Sequence, residues 1–413
     1  MSAPAPGRFA RRLTVYAVAA LLLQILALLI WAARFYLLGD WTAPMVGFDF
    51  AVFWSAARVS IEHNAVAVFS AQWLQPIEES VRHHIGYSPW PYPPTFLLAI
   101  IPFGLLPFAG ALVVYFVMGL SAYAAMLARV CRQVDRAWMP LLAAFPGVPV
   151  AVGLGQNALL TVSAAGVALA LTETNAGLAG VCVAILAIKP QLGMLFPIAL
   201  ACGRQWKAFV VAGFCTLIFT GGSALVFGVK IWHAFAEYLP EFNRIVVEQG
   251  GSEMWLGMPT IFAICRALGL PVNAAYAVHG LVAAPAVLVM ALLWARRARF
   301  ELRATAFVAA TLLLQPYLMF YDLVWLILPI VFLMRDAKVQ ALHRVEWVIL
   351  AAAWLAPVQG VLAAYTGLYL QIVPVILVAL LVVVTRRHFT STSAQCCPLP
   401  DLAEQVVAAS RMQ

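Results

Sequence analysis

The chain has 413 residues, of which 64% are hydrophobic and 10% are charged. A soluble domain is about half apolar and about a quarter charged, so this composition excludes a soluble globular protein and predicts that lipid surrounds most of the surface. The net charge of +8 lies in basic clusters between apolar runs, which indicates membrane topology rather than nucleic-acid binding.

Apolar segments recur between residues 13 and 384, and Pro or Gly interrupts several of them. The first run follows three arginines and is too long for a signal peptide, which predicts a retained helix with its basic end in the cytoplasm. If all later basic clusters are also cytoplasmic and residues 94–106 do not cross fully, the topology has about 12 crossings. The sequence therefore predicts an all-α polytopic membrane protein.

This topology leaves two long stretches outside the membrane, residues 39–93 and 229–272. Each has an apolar stripe at helical spacing, which predicts amphipathic helices lying in the membrane interface. Residues 1–389 are predicted to form one transmembrane domain, and the polar tail 390–413 is predicted to be disordered and cytoplasmic.

A candidate catalytic residue lies soon after the first helix, in Gly47-Phe48-Asp49-Phe50. Asp49 stands among aromatic and apolar residues at the start of a predicted interfacial helix. Partial desolvation raises the pKa of a carboxyl group and makes its carboxylate a better general base. The alternative is that Asp49 caps this helix by accepting backbone N–H bonds, and the two roles can coexist.

A proline-rich segment, Trp90-Pro91-Tyr92-Pro93-Pro94, opens a short apolar run. Its prolines fix the backbone and remove N–H donors. The segment is either a rigid entry into a helix or, in addition, the wall of a substrate pocket beside Asp49, with Tyr92 contacting the substrate.

Two adjacent amides follow glycines in Gly153-Leu154-Gly155-Gln156-Asn157. Gln156 and Asn157 are suited to hydrogen-bond sugar hydroxyl groups at the outer membrane face. The alternative is a glycine turn in which Asn157 caps the next helix.

Two charged residues interrupt later apolar runs. Lys189 is costly within an apolar stretch, so we expect it to pair with a lipid-linked phosphate, although snorkelling to the interface is an alternative. Tyr321 and Asp322 fall at the outer face, where Asp322 either caps the following helix or lines the pocket.

Together these motifs resemble the polyprenyl-phosphate-dependent glycosyltransferases of the GT-C superfamily, and in particular family 87, the α-mannosyltransferase-like group. The resemblance covers roughly residues 13–385. It rests on the order and spacing of Asp49-Phe50, Ala56-Ala57, Tyr92-Pro93-Pro94, Gly155-Gln156-Asn157 and Lys189-Pro190.

The resemblance implies a GT-C-type fold and inverting transfer of a hexose, with mannose as the family's best-known sugar. The donor would be a polyprenyl-phosphate sugar and the acceptor an envelope glycan or glycolipid, at the outer face of a bacterial inner (plasma) membrane. Asp49 would be the catalytic base, and Lys189 would stabilise the departing phosphate. No cofactor and no metal are expected. The segment Pro316–Asp322 departs from the family pattern, because many members carry Trp and His there.

Two other functions share this topology. A transporter or flippase of a lipid-linked sugar would also have many broken helices, but such proteins usually show two similar halves and polar sites at mid-membrane. A non-catalytic subunit of an envelope assembly complex would not need Asp49 in a pocket. The concentration of polar residues in two external loops favours the transferase.

Overall fold

The computed structural model describes residues 6–40, 45–82, 86–366 and 371–396. Within these ranges the chain is helical and contains no β-strand, which confirms the all-α prediction. Residues 397–413 of the predicted disordered tail lie outside the described residues, and the helix before them continues to Cys396 rather than ending before Thr390.

The first part of the chain supplies a long helix and the predicted first external loop. The long helix continues into a π-helical turn over Ala33–Leu37. The helices are α1 (Pro6–Ala32), α2 (Phe48–Glu62), α3 (Ala71–Arg82), α4 (Pro94–Gly104) and α5 (Phe108–Val130).

The middle of the chain is broken into short helices before one long one. Glycine or proline stands at most of these breaks, because neither residue continues a helix well. The helices are α6 (Met139–Ala143), α7 (Gly147–Leu154), α8 (Ala158–Leu171), α9 (Ala176–Ile185), α10 (Pro190–Gly193), α11 (Phe196–Cys202) and α12 (Trp206–Phe227).

The last part contains the second predicted external loop and a set of closely packed helices. A 3-10 turn over Phe320–Leu326 stands before α18. The helices are α13 (Lys230–Phe242), α14 (Gly251–Leu256), α15 (Ile261–Ala267), α16 (Val272–Ala295), α17 (Phe300–Leu314), α18 (Ile327–Asp336), α19 (Arg344–Leu355), α20 (Val358–Thr366) and α21 (Val373–Cys396).

Six helical segments in the described part of the chain are long and apolar enough to cross a membrane. They are Arg11–Leu37, Phe108–Gln133, Arg136–Leu154, Trp206–Phe227, Val272–Ala295 and Val373–Thr390. Four shorter apolar helices accompany them, including Ala158–Leu171. The predicted count of about 12 crossings is therefore not confirmed, because several apolar runs form helices shorter than a bilayer crossing needs.

The apolar stripe of α2 packs on protein instead of facing lipid. Phe50, Phe53 and Ala57 are at most 1% exposed, and the helix packs against α4 and α5. The ring of Phe50 lies 4.6 Å from that of Tyr115 on α5. α2 is thus a fixed platform for the residue at its start, Asp49.

A buried ionic network joins the ends of α18, α19 and α21. The guanidinium of Arg387, in α21, contacts Asp336 at 2.7 Å and Glu346 at 2.8 Å. Arg299, which directly precedes α17, contacts Asp336 at 2.9 Å. Arg387, Asp336 and Glu346 are each at most 2% exposed. Since water does not reach these charges, they depend on one another for compensation.

Candidate active site

The start of α2 and the end of α7 meet through glycine backbone. The Gly47 amide donates to the Gly153 carbonyl at 2.8 Å. Gly155 has a φ of +71°, and a Cβ atom there would lie 2.7 Å from the Cβ of Phe50 and 2.8 Å from the Cα of Gly47. Only glycine fits this approach without strain, and the approach brings Asp49 beside Gln156.

Asp49 occupies the first turn of α2 and is not its capping residue. The cap position belongs to Gly47, and no side chain forms a cap hydrogen bond there. The Asp49 carboxylate instead accepts a hydrogen bond from the Gln156 side chain. Burial raises the pKa of Asp49 to about 6, while the Gln156 hydrogen bond and the charge of Arg82 oppose this rise. A carboxyl group with this pKa is well matched to general-base chemistry near neutral pH.

Two neighbours fix the orientation of the Gln156 amide. The Tyr92 hydroxyl and the Asn157 backbone N–H both donate to Gln156 Oε1, each at 3.3 Å. Since that oxygen is occupied as an acceptor, the amide nitrogen is the atom that donates to Asp49. Tyr92 also packs its ring 5.2 Å from Phe53 of α2, and Pro94 begins α4. The proline-rich segment is therefore both a rigid helix entry and part of this cluster.

A cavity of about 280 Å³ opens over these side chains. Asp49, Tyr92, Gln156 and Tyr321 line it, together with Tyr317. Asp49 is partly exposed, so its carboxylate is accessible from the cavity. Four of the seven predicted site residues thus meet around one space.

A second cavity of about 610 Å³ adjoins the first and shares Tyr92, Tyr317 and Tyr321 with it. Lys189 lines this second cavity. Its Nζ atom lies 2.7 Å from both carboxylate oxygens of Asp322 and 4.9 Å from the centre of the Tyr321 ring. Lys189 is 4% exposed, so it neither snorkels to an interface nor stands as a lone cation.

A family model provides the deciding comparison. The model of glycosyltransferase family 87 matches residues 90–316, more than half of the chain. The chain belongs to glycosyltransferase family 87. No curated protein and no solved structure matches it.

The family 87 match covers part of the site. Tyr92, Gln156 and Lys189 lie within the matched residues, whereas Asp49 and Asp322 lie outside them. The role of Asp49 therefore depends on its geometry and on the resemblance of its own motif. Membership implies a sugar donor and an acceptor, and the apolar helices indicate a membrane enzyme.

Two predicted residues of this family 87 protein, Asn157 and Asp322, line neither of these two cavities. Asn157 is fully buried at the start of α8 and makes no side-chain cap hydrogen bond. Neither of its amide atoms has a hydrogen-bond partner. The side-chain cap expected of Asn157 is therefore absent, and its contact with a sugar stays a prediction.

Three other residues of the site were not among the predicted positions. Tyr317 and Phe242 line both cavities, and Arg82 acts on Asp49 through its charge. Tyr317 follows Gln315-Pro316, which marked that turn in the sequence, but no pattern connected Phe242 or Arg82 to it. Among the described residues no three His, Cys, Asp or Glu side chains are grouped to hold a metal ion, and the metal-free mechanism stays a prediction.

Proposed function

We propose that this family 87 enzyme is an inverting hexosyltransferase of the GT-C type. It moves a hexose, with mannose as the expected sugar, from a polyprenyl phosphate to a hydroxyl group of an envelope glycan or glycolipid. The observation that carries the proposal is the partly exposed Asp49 carboxylate, which Gln156 orients in a cavity that adjoins the cavity lined by Lys189.

The proton transfer is assigned to Asp49. The acceptor hydroxyl gives its proton to the Asp49 carboxylate while its oxygen attacks the anomeric carbon from the face opposite the donor phosphate. The bond between the anomeric carbon and the phosphate oxygen breaks, and the lipid phosphate leaves as an anion. This leaving group needs charge stabilisation rather than a proton.

An apolar groove supports a lipid-linked donor. A third cavity, of about 550 Å³, lies between α9, α11 and α12 and has an almost wholly apolar lining. It shares Pro93, Pro190 and Phe235 with the cavity that holds Lys189. α12 exposes Leu217 and other large apolar side chains at its surface. An isoprenoid chain in this groove would place its phosphate near Lys189 and its sugar near Asp49.

Two helices separate the candidate site from the ionic network around Arg387. α17 runs from Arg299, which belongs to this ionic network, to Gln315, which lines the Lys189 cavity. α18 similarly follows Asp322 and ends at Asp336. A helix of 15 residues, such as α17, is about 22 Å long. Because basic residues collect on the cytoplasmic side, we propose that the site, at the other end of these helices, faces the periplasm or exterior.

The decisive experiment replaces Asp49 by Asn in the purified full-length protein in lipid nanodiscs. Transfer from radiolabelled polyprenyl-phosphate mannose should fall by about 10²–10⁴-fold, the usual contribution of a general base. Glu62→Gln, which removes a surface carboxylate at the other end of α2 paired with Arg58, is the matched control and should keep its activity. Full activity in Asp49→Asn would reject the catalytic assignment.

Donor recognition is tested through Lys189. Lys189→Ala should weaken binding of the polyprenyl-phosphate sugar, because the ammonium group would no longer meet the phosphate. Unchanged donor affinity would remove Lys189 from this role. The family match supports a transferase, and nothing comparable supports the transporter alternative.

A further inference from the structure

Arg82, in the last turn of α3, is a buried cation that the proposed reaction does not yet use. Its side chain is fully buried, and none of its three guanidinium nitrogens has a hydrogen-bond partner. A buried guanidinium is disfavoured unless nearby charges or dipoles compensate it. The groups around Arg82 that compensate its charge therefore indicate its role.

Arg82 and Glu78 connect the two walls of the catalytic cavity. The Arg82 guanidinium lies 3.9 Å from the centre of the ring of Phe48, the residue that precedes Asp49 in the sequence. It also lies 3.5 Å from Glu78, one turn earlier on α3. Glu78 in turn accepts the Ser88 backbone N–H at 2.9 Å, and both Phe48 and Ser88 line the cavity. The pair thus sits behind the segment that carries Asp49 and the segment that carries Tyr92.

The charges around Asp49 do not contribute equally. Several ionisable groups act on it electrostatically: Arg82 of α3, Lys189 before α10, Asp322 before α18, and the tyrosines Tyr92, Tyr115, Tyr317 and Tyr321. The charge of Lys189 is largely cancelled by Asp322, its partner at 2.7 Å. Burial raises the pKa of Glu78 to about 7, so Glu78 is protonated in a large fraction of molecules near neutral pH. The charge of Arg82 is then only partly cancelled.

We propose that Arg82 is a positioning residue for Asp49, whose buried positive charge keeps the Asp49 carboxylate ionised and ready to accept the acceptor proton. The inference rests on the proposed role of Asp49 as the base. Glu78 holds Arg82 in place through their contact on α3, and Arg82 contacts the start of α2 through the ring of Phe48.

The experiment measures the titration of Asp49 directly, without relying on turnover. A hydrophobic carbodiimide reacts with protonated carboxyl groups, so the rate of labelling of the Asp49 peptide against pH, followed by mass spectrometry, reports its pKa. Parallel kcat/KM profiles use the same nanodisc preparations. Four variants are compared: Arg82→Gln, Arg82→Lys, Glu78→Gln and, as a matched control, Arg58→Gln on the surface of α2.

Arg82→Gln should raise the pKa of Asp49 and shift the acid limb of kcat/KM to higher pH, with a larger loss of activity at about pH 5 than at about pH 8. Arg82→Lys keeps the charge and should restore most of the wild-type titration. Glu78→Gln breaks the same contact but keeps the charge of Arg82, so the pKa of Asp49 should not rise. Arg58→Gln should leave the titration unchanged.

Two results would overturn the proposal. An unchanged Asp49 titration in Arg82→Gln would show that its charge does not act on Asp49. An equal rise in Glu78→Gln and Arg82→Gln would show that the pair matters only for holding the loop. Loss of the proposed transferase function is a separate result, because labelling would still show the coupling in a protein that transfers no sugar.

Discussion

Breaking the buried ion pair between Lys189 and Asp322 should destabilise the protein strongly, whereas removing both of its charges together should not. Both members are nearly inaccessible, with side chains 5% and 3% exposed, and the ammonium nitrogen contacts both carboxylate oxygens at 2.7 Å. Lys189→Met leaves a buried carboxylate without its partner, which costs about 3–5 kcal/mol of unfolding free energy. Lys189→Met combined with Asp322→Leu removes both charges and should recover most of that loss.

The measurement is a double-mutant cycle on unfolding in mixed micelles, followed by tryptophan fluorescence. The cycle should give a coupling free energy of at least about 3 kcal/mol, which corresponds to a hundredfold or more in the unfolding equilibrium constant. The matched control is the surface pair of Arg244 and Glu241, 2.5 Å apart with both side chains about half exposed, whose removal should change little. Additive losses for Lys189 and Asp322 would refute the reasoning.

The same pair predicts an opposite effect on donor binding. If Lys189 binds the donor phosphate, the phosphate competes with Asp322 for the same ammonium group. Asp322→Asn should then tighten donor binding while it lowers stability. A decrease in donor affinity would mean that Asp322 itself, rather than Lys189, contacts the donor.

Three further outcomes follow from the site. Because burial raises the pKa of Asp49 to about 6, kcat/KM should fall about tenfold per pH unit below that value. The same carboxyl group favours the folded state at low pH, and this contribution to stability is lost as the pH rises through about 6. Asp49→Asn should abolish both pH effects. Gly155→Ala should destabilise the protein by about 1–3 kcal/mol and lower kcat, because the added Cβ would meet Phe50 and Gly47. The control Gly213→Ala places its Cβ in open space and should be neutral or slightly stabilising. Equal shifts of the melting temperature in the two variants would contradict this prediction. Asn157→Leu should keep activity and not lower the melting temperature, since the Asn157 amide is buried without partners, and a large loss of activity would show a substrate contact.

Short motifs carry strong local constraints, and these allowed the sequence to predict which residues come together at the candidate site. Gly47 and Gly155 permit a backbone approach that no other residue type allows, and prolines fix the segment around Tyr92. Each motif marked a rigid turn with a polar side chain at its end. Three such turns at the same side of a helical protein converged on one cavity, as expected for Asp49, Tyr92 and Gln156.

Long-range pairing was beyond the reach of these local patterns. Lys189 and Asp322 are 133 positions apart, so no local pattern predicted that they pair with each other. The two residues after Gly155 were treated alike, although the backbone turns Gln156 toward the cavity and Asn157 into the core. Hydropathy also cannot distinguish a short buried helix such as α8 from a membrane crossing, because both are uniformly apolar.

The network around Arg387 has a consequence for how the protein is made. Its acidic partners, Asp336 and Glu346, belong to helices that leave the ribosome before α21. Until α21 inserts, Glu346 lacks the arginine partners that neutralise it, and Asp336 is compensated by Arg299 alone. We therefore expect a chain interrupted before Arg387 to fold less stably than the complete chain, because the buried Glu346 carboxylate would have no compensating charge.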